Sequence, residues 1–435
     1  MGIKNYLTNI TELFPKILEK RTPKNIDILC VDLNSILHKV CHKSKSNDEF
    51  QTKLFSELNK LLKKFKPKTF ALFTDGQAVL AKAKLQIKRR DKYLYSQSSG
   101  SISTLNLTPG TPFMEFVDNI VDDYLNKLNI DVYYSSSKIK NEGELKIFKF
   151  LKNKNDSKIC IVGNDADLIV LALANTPLLN LYIYNFKNFI SLYKLVDSLS
   201  KLSEIKFNYK YHPIRKDMVL ISLLLGNDYN RHLANFKYLL SSYKLLLKEK
   251  KGFLFKKNGY LNFRNIRLLL RNLDDTNSSN DTLYSQNDVN RYFNSLVWNI
   301  NLYNGVIIPN YLPNYNINVK TILAYFPKKI KKKYNIPKWQ DSDVYLLLLM
   351  PSVGKDFLPD NLKKYMEKKS PIKDLFPDPC PTCIEFKSKI SSFNENTDTN
   401  LIRDTNEEYK SHIEENHKLI NLPLKRISEA LNKNW

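Results

Sequence analysis

The chain has 435 residues, 43% hydrophobic and 26% charged, a size and balance that predict a large core and two or three domains. Lys and Arg number 68 against 44 Asp and Glu, and the net charge of +24 points to a polyanionic partner, with nucleic acid the default. No apolar stretch is long enough to span a bilayer, and the start, with Lys4, Glu12 and Pro15, lacks the pattern of a signal peptide, so an intracellular protein away from the membrane is expected.

Apolar runs predict strands at 26–32, 69–74, 130–135, 157–162 and 180–185, with helices between them at about 48–65, 76–94, 111–128 and 142–152. Strands separated by helices of this length predict an α/β fold, a parallel sheet flanked by helices. Residues 217–226, "DMVLISLLLG", read as a buried helix that delivers Asp228 just past its end. The division expected along the chain is a core at 1–233, a connecting region with a polar loop at 234–287, a mostly helical second region at 288–377, and a C-terminal segment at 378–435. Within it the stretch 390–411 is polar and expected to be mobile. The five cysteines form no regular pattern, which argues against a disulfide framework.

Acidic residues recur where strands should end and helices begin. They are Asp32 in "ILCVDLNSILH", Asp75 in "FALFTDG", Glu142 and Glu144 in "KNEGELK", Asp165 and Asp167 in "ICIVGNDADLIVL", and Asp228 in "LLLGNDY". The strand carboxyl ends of a parallel sheet face one shared crevice. Carboxylates gathered there repel one another and need a compensating charge, and a hard divalent cation with oxygen ligands supplies it. Either pair alone would be an ordinary turn or a helix start favoured by the dipole. Together the clusters read as a two-metal site for phosphodiester hydrolysis. In the helix expected after Asp75, Lys82, Gln86, Arg89 and Arg90 follow i, i+4, i+7, i+8 spacing and share a face. An amide with three cations on one face suits a phosphate, Arg giving bidentate contacts.

These residues carry a resemblance to the Xrn1/Rat1-type 5′→3′ exoribonucleases. "MGIKNYLTNITELFP", "LCVDLNSILH", "TDGQAVLAKAKLQIKRR", "LTPGTPFM", "NEGELKI", "GNDADLIVLAL" and "LISLLLGNDY" resemble that family's blocks in order, followed by "SLVWNINLYNGV", "MPSVGKDFLP" and "SPIKDLFP". "NEGE" stands where the family usually has "GEGE", and the stretch between Arg90 and Thr108 is shorter than in the cellular enzymes. The resemblance implies a 5′-nuclease (PIN-like) core. It implies that Asp32, Asp75, Glu142, Glu144, Asp165, Asp167 and Asp228 hold two Mg²⁺ ions, with Mn²⁺ as the substitute. It further implies a pocket for one 5′-phosphate at Lys82, Gln86, Arg89 and Arg90, and base stacking by His38 and Trp298. On the residues alone His38 would be a core or capping histidine and Trp298 a core aromatic. The implied substrate is single-stranded RNA with a 5′-monophosphate, such as decapped mRNA, degraded processively by a monomer in the cytoplasm, with the nucleus the alternative. Rival readings are a structure-specific 5′ DNA nuclease and a catalytically silent RNA-binding protein.

Two features lie outside the resemblance. Cys380-Pro-Thr-Cys383 is followed by His412 and His417, a loose match to a structural Zn²⁺ set. "KKIKKKY" at 328–334 has the composition of a nuclear localisation signal or of a solvated basic face.

Overall fold

The computed structural model describes residues 3–433 except 4, 91–92, 94–99, 176, 203–212, 250, 274–283, 314, 328–329, 331–337, 395–396 and 417–420. The chain divides into two compact units, the first formed by Met1–Leu37, Thr52–Ala81 and Asp122–Trp339, the second by His38–Gln51, Lys82–Val121 and Gln340–Trp435. This replaces the linear division expected at residues 233, 287 and 377. The apolar core of the first unit continues past residue 233 through Phe236, Leu239 and Tyr243 to Leu296 and Ile322, so the supposed connecting region is part of that core.

The first unit is built on a seven-stranded sheet: β1 (Leu18–Glu19), β2 (Ile28–Asp32), β3 (Thr69–Phe73), β4 (Asp131–Ser135), β5 (Ile159–Val162), β6 (Leu181–Tyr184) and β7 (Phe189–Ser191), in the order β1-β7-β6-β5-β2-β3-β4. β6, β5, β2, β3 and β4 run parallel, while β7 is antiparallel to β6 and β1 to β7. The α/β expectation is met and the five parallel strands fall inside their predicted spans. The sheet is nevertheless mixed, with an antiparallel edge. β1 and β7, of two and three residues, are too short to show a period of two in sequence.

β2 is apolar on both faces, as a central parallel strand must be. Leu29, Cys30 and Val31 are fully buried, and the aliphatic Leu29 and Val31 side chains each contribute roughly 1.5–3 kcal/mol. From β2 the chain moves outward to β3 and β4, then returns to the other side of β2 with β5 and β6. The order therefore reverses between β2 and β5, where an open α/β sheet leaves a crevice beyond its strand ends. The Asp167–Ala174 helix after β5 is buried along its whole length. The buried Arg215 caps its last carbonyls, donating to Ala172 O (2.8 Å) and Leu173 O (3.2 Å), and also donates to Leu178 O (2.8 Å) beyond the helix. Burial lowers the Arg215 pKa to about 10, so the side chain stays charged at neutral pH.

In the second unit the Ser342–Leu349 and Leu424–Asn432 helices pack together. The tail expected to be mobile instead carries the Thr399–Asn416 helix, whose Leu, Arg, Glu and Lys residues favour that state. Among the described residues no helix is long and apolar enough to cross a membrane. Most of the basic run at 328–334 lies outside the described residues.

Candidate active site

β2 ends on Asp32, which pairs in register with Phe73 at the end of β3, and Asp75 follows two residues later. Two loops are zipped together at this point. Gly76 N–H donates to Asn141 O, Asn141 N–H donates to Gln77 O, both at 2.8 Å, and Gly143 N–H donates to Asp75 Oδ1 at 2.6 Å. Asp75 N–H donates to Asn34 Oδ1 (2.8 Å), tying the end of β3 to the turn after β2. Beneath them the buried Lys146 donates to Thr74 O (2.7 Å) and Ser136 O (2.8 Å). The N-terminus of the Gly143–Leu151 helix thus faces the strand ends, where its dipole favours anions.

Two glycines make room for these carboxylates. A Cβ on Gly143 would sit 3.2 Å from Asp32 Oδ1 and 3.4 Å from Asp75 Oδ1, and one on Gly163 would sit 3.7 Å from Asp32 Oδ2. Glu142 is the residue preceding that helix, and Tyr229 Oη donates to its Oε2 at 3.1 Å. Asp165 Oδ1 accepts the Asp167 N–H at 3.0 Å, and Asp167 Oδ1 accepts the Ile3 N–H at 3.3 Å. Burial and then the charges of Asp75, Asp165 and Glu142 raise the Asp32 pKa well above the usual carboxylate range, against the Asn34 N–H. Burial and then the charges of Asp167 and Glu144 likewise raise Tyr303. Asp228 lies in the turn after Gly226 (φ +83°), a turn shaped by Asn227 Oδ1 accepting the Tyr229 and Asn230 N–H groups. That turn is linked to the acidic rim by Tyr229.

The rim therefore offers an all-oxygen donor set, glycine clearance around Asp32 and Asp75, and electrostatic strain that cations would relieve, which fits hard divalent ions. Among the described residues no three of these carboxylates bring oxygens within 4.8 Å of one another.

The four residues expected to take a phosphate lie on the Leu80–Arg90 helix, and all four belong to the second unit. Lys82 is buried, while Gln86, Arg89 and Arg90 are half-buried. Gln86 Oε1 accepts from Tyr345 Oη (3.0 Å), and Arg90 Nη1 donates to Leu349 O (3.3 Å). Burial lowers the Arg90 pKa to about 10, still well above neutrality.

His38 is exposed in the last turn of the Leu33–Cys41 helix. The stacking role expected of Trp298 is corrected. The indole is fully buried, its Nε1 donates to Ile308 O (3.0 Å), Tyr311 stacks on it at 5.1 Å, and Tyr229 meets it edge-on at 5.2 Å. Trp298 instead supports Tyr229, and through it Glu142. Cys380, Cys383 and His412 come together, whereas His417 lies outside the described residues.

The sequence reading missed Asn34, Lys146, Tyr229 and Tyr345. Tyr229 directly follows Asp228, and Lys146 is two residues from Glu144, so proximity to the acidic blocks was the available signal. Lys146 passes for a surface lysine until the sheet places it beneath the loops.

Residues 1–183 match the family model described as the XRN 5′-3′ exonuclease N-terminus. The 5′-3′ exoribonuclease 1 of Saccharomyces cerevisiae is 26% identical over 298 residues, covering 54% of this chain and 20% of that protein. The Homo sapiens 5′-3′ exoribonuclease 1 is 26% identical over 299 residues, covering 54% of this chain and 18% of its own length. The 5′-3′ exoribonuclease 2 of Kluyveromyces lactis is 28% identical over 196 residues, 34% of this chain and 20% of that protein. The matched stretch thus spans about a fifth of these relatives. Among solved structures, the catalytic core of Rad2 with a DNA substrate aligns over 86% of this chain and 97% of that one, at 15% identity and a TM-score of 0.36. The T5 D15 protein co-crystallized with metal ions aligns over 81% of this chain and 100% of that one, at 12% identity and a TM-score of 0.35.

Proposed function

From an Xrn-type 5′→3′ exonuclease amino-terminal domain over residues 1–183, we propose that the chain is a metal-dependent 5′→3′ exoribonuclease. Its substrate is single-stranded RNA bearing a 5′-monophosphate, the form produced by decapping mRNA, and it acts processively as a monomer in the cytoplasm. The observation that carries the reading is the convergence of Asp32 and Asp75 at the strand ends, where a Cβ on Gly143 would lie 3.2 Å from Asp32 Oδ1 and 3.4 Å from Asp75 Oδ1 and the Gly143 N–H holds Asp75.

Asp32, Asp75, Glu142, Glu144, Asp165, Asp167 and Asp228 would hold two Mg²⁺ ions, or Mn²⁺ in their place. Bound ions of this kind activate water and neutralise charge on the leaving oxygen. The chain's own part is to keep the donors aimed: Gly143 N–H orients Asp75, Tyr229 orients Glu142, and Asp165 accepts the Asp167 N–H. Lys82, Gln86, Arg89 and Arg90 take the 5′-phosphate, with Tyr345 fixing the Gln86 amide. A pocket that matches one phosphate discriminates against a cap, and against a 5′-hydroxyl that leaves its cations unpaired. The exposed His38 ring serves as a stacking surface for a base, which reads no sequence.

One RNA prepared with 5′-monophosphate, 5′-hydroxyl and capped ends, each 3′-labelled, tests the reading in Mg²⁺. The monophosphate form is expected to disappear selectively, releasing mononucleotides. Equal decay of all three through internal fragments would contradict it, and equal decay of matched DNA would favour the DNA-nuclease reading.

A further inference from the structure

Among the described residues one set of three metal-donor side chains has its ligand atoms all within 4.8 Å of one another: the thiols of Cys380 and Cys383 and the imidazole of His412. Cys383 is fully buried, the other two are half-buried, and none of the five cysteines forms a disulfide. Cys380 Sγ stands 3.5 Å from His412 Nε2. Tetrahedral zinc with Zn–S of ~2.3 Å and Zn–N of ~2.0–2.1 Å sets sulfur and nitrogen about 3.5–3.6 Å apart. The two groups already stand at the separation a shared zinc imposes.

The local fold explains the convergence. Cys380 precedes Pro381 at the start of the Pro381–Ser391 helix, so the C-x₂-C spacing puts both sulfurs at its first turn. A helix N-terminus stabilises thiolate, the form that binds metal. His412 sits in the last turns of the Thr399–Asn416 helix, and its Nδ1 faces the Asn416 side-chain amide at 3.2 Å, leaving Nε2 toward the sulfurs. The hairpin also has little core of its own. Cys383 is the one buried residue in the Pro381–Ser391 helix, and the partner helix meets it through Phe386, whose ring lies 5.5 Å from Tyr409 and 6.1 Å from His412. Helices packed this thinly are the kind that a structural metal holds together.

We propose that Cys380, Cys383 and His412 bind one Zn²⁺ ion that staples the start of one helix to the end of the next, a fourth donor outside this set completing the tetrahedron. Binding releases the two thiol protons to solvent. The ion is structural and distinct from the hard cations assigned to the carboxylate rim.

The full chain, loaded with zinc and then dialysed to remove weakly held ions, should retain about one zinc per chain. Cys383→Ser and His412→Ala should lose it, while His412→Cys, which restores a donor, should keep it. Cobalt in place of zinc should give a sulfur-to-cobalt charge-transfer band in the wild type, which carboxylate ligands cannot produce. Trypsin should cut within 384–416 on the order of tenfold faster once the metal is stripped. If Cys383→Ser fails to fold, the half-buried Cys380→Ser takes its place. Substoichiometric zinc in the wild type, equal zinc in the serine variants, or a cobalt spectrum lacking the sulfur band would each overturn the proposal.

Discussion

Glu142 shows how a single side chain is aimed at this site. One of its oxygens is held by Tyr229, whose ring is in turn fixed edge-on against the buried Trp298. A hydrogen bond to a charged group is worth roughly 1.5–3 kcal/mol. Tyr229→Phe keeps the ring packing and drops only the hydroxyl. It should slow RNA hydrolysis on the order of tenfold in single-turnover kinetics with thermal stability little changed. An unchanged rate would mean that Glu142 does not depend on Tyr229. Asn141 is the opposite case, a residue under strain. Its φ is +95°, its Oδ1 is buried with no hydrogen-bond partner, and its backbone bonds zip the Asp75 and Glu142 loops together. Glycine tolerates that φ, and Asn141→Gly should raise stability by about 1 kcal/mol, after the entropic cost of glycine is subtracted, as read by thermal denaturation. The acidic residues were legible because they fall where apolar runs stop and helices begin. The strain at Asn141 was not, because nothing in "KNEGELK" says which residue must turn through positive φ.

At the scale of elements, legibility followed burial and length. The five parallel strands announce themselves as continuous apolar runs bounded by turn residues, as in "ICIV" before Gly163. β1 and β7 escape notice because each is fixed by pairing to a neighbour rather than by its own pattern. The Ile214–Leu224 helix was expected only from residue 217 onward; it begins three residues earlier, and of the charged residues in its first turn only Lys216 is exposed. Arg215 and Asp217 are both fully buried, and Asp217 Oδ2 accepts from Tyr243 Oη (2.7 Å) and Leu254 N–H (2.8 Å). Burial raises the Asp217 pKa to about 7, opposed by those hydrogen bonds. The folded state therefore holds this proton more tightly than the unfolded chain, whose Asp pKa is about 3.9. The resulting stabilisation is complete below that value and is lost as pH rises toward 7, by at most about 4 kcal/mol. Asp217→Asn stays neutral and can accept both hydrogen bonds. Its melting temperature relative to the wild type should rise between pH 5 and pH 8, and a constant difference across that range would show that Asp217 is ionised in the fold.

Over the whole molecule it was the chain order that misled. The sequence was read as successive domains, but the second unit is assembled from three separated stretches, and only contacts distant in sequence reveal that. The excess of 24 positive charges coexists with a half-buried acidic rim, a division that the proposed cleavage of a polyanion by bound cations would use. The rim's carboxylates were visible as residues. The loops, glycines and tyrosines that orient them became visible only through the fold. Single-turnover cleavage of 3′-labelled, 5′-monophosphorylated RNA by the wild type and by Asp165→Asn, across a Mg²⁺ titration, tests the central claim most directly. The substitution keeps the Oδ1 that accepts the Asp167 N–H at 3.0 Å and removes one charge from the rim. The wild type should shorten the RNA from its 5′ end only when Mg²⁺ is present, and Asp165→Asn should be slower by on the order of 10²-fold or more at every Mg²⁺ concentration. Equal rates for the two proteins, or cleavage that ignores Mg²⁺, would contradict the assignment of the carboxylate rim as the catalytic centre.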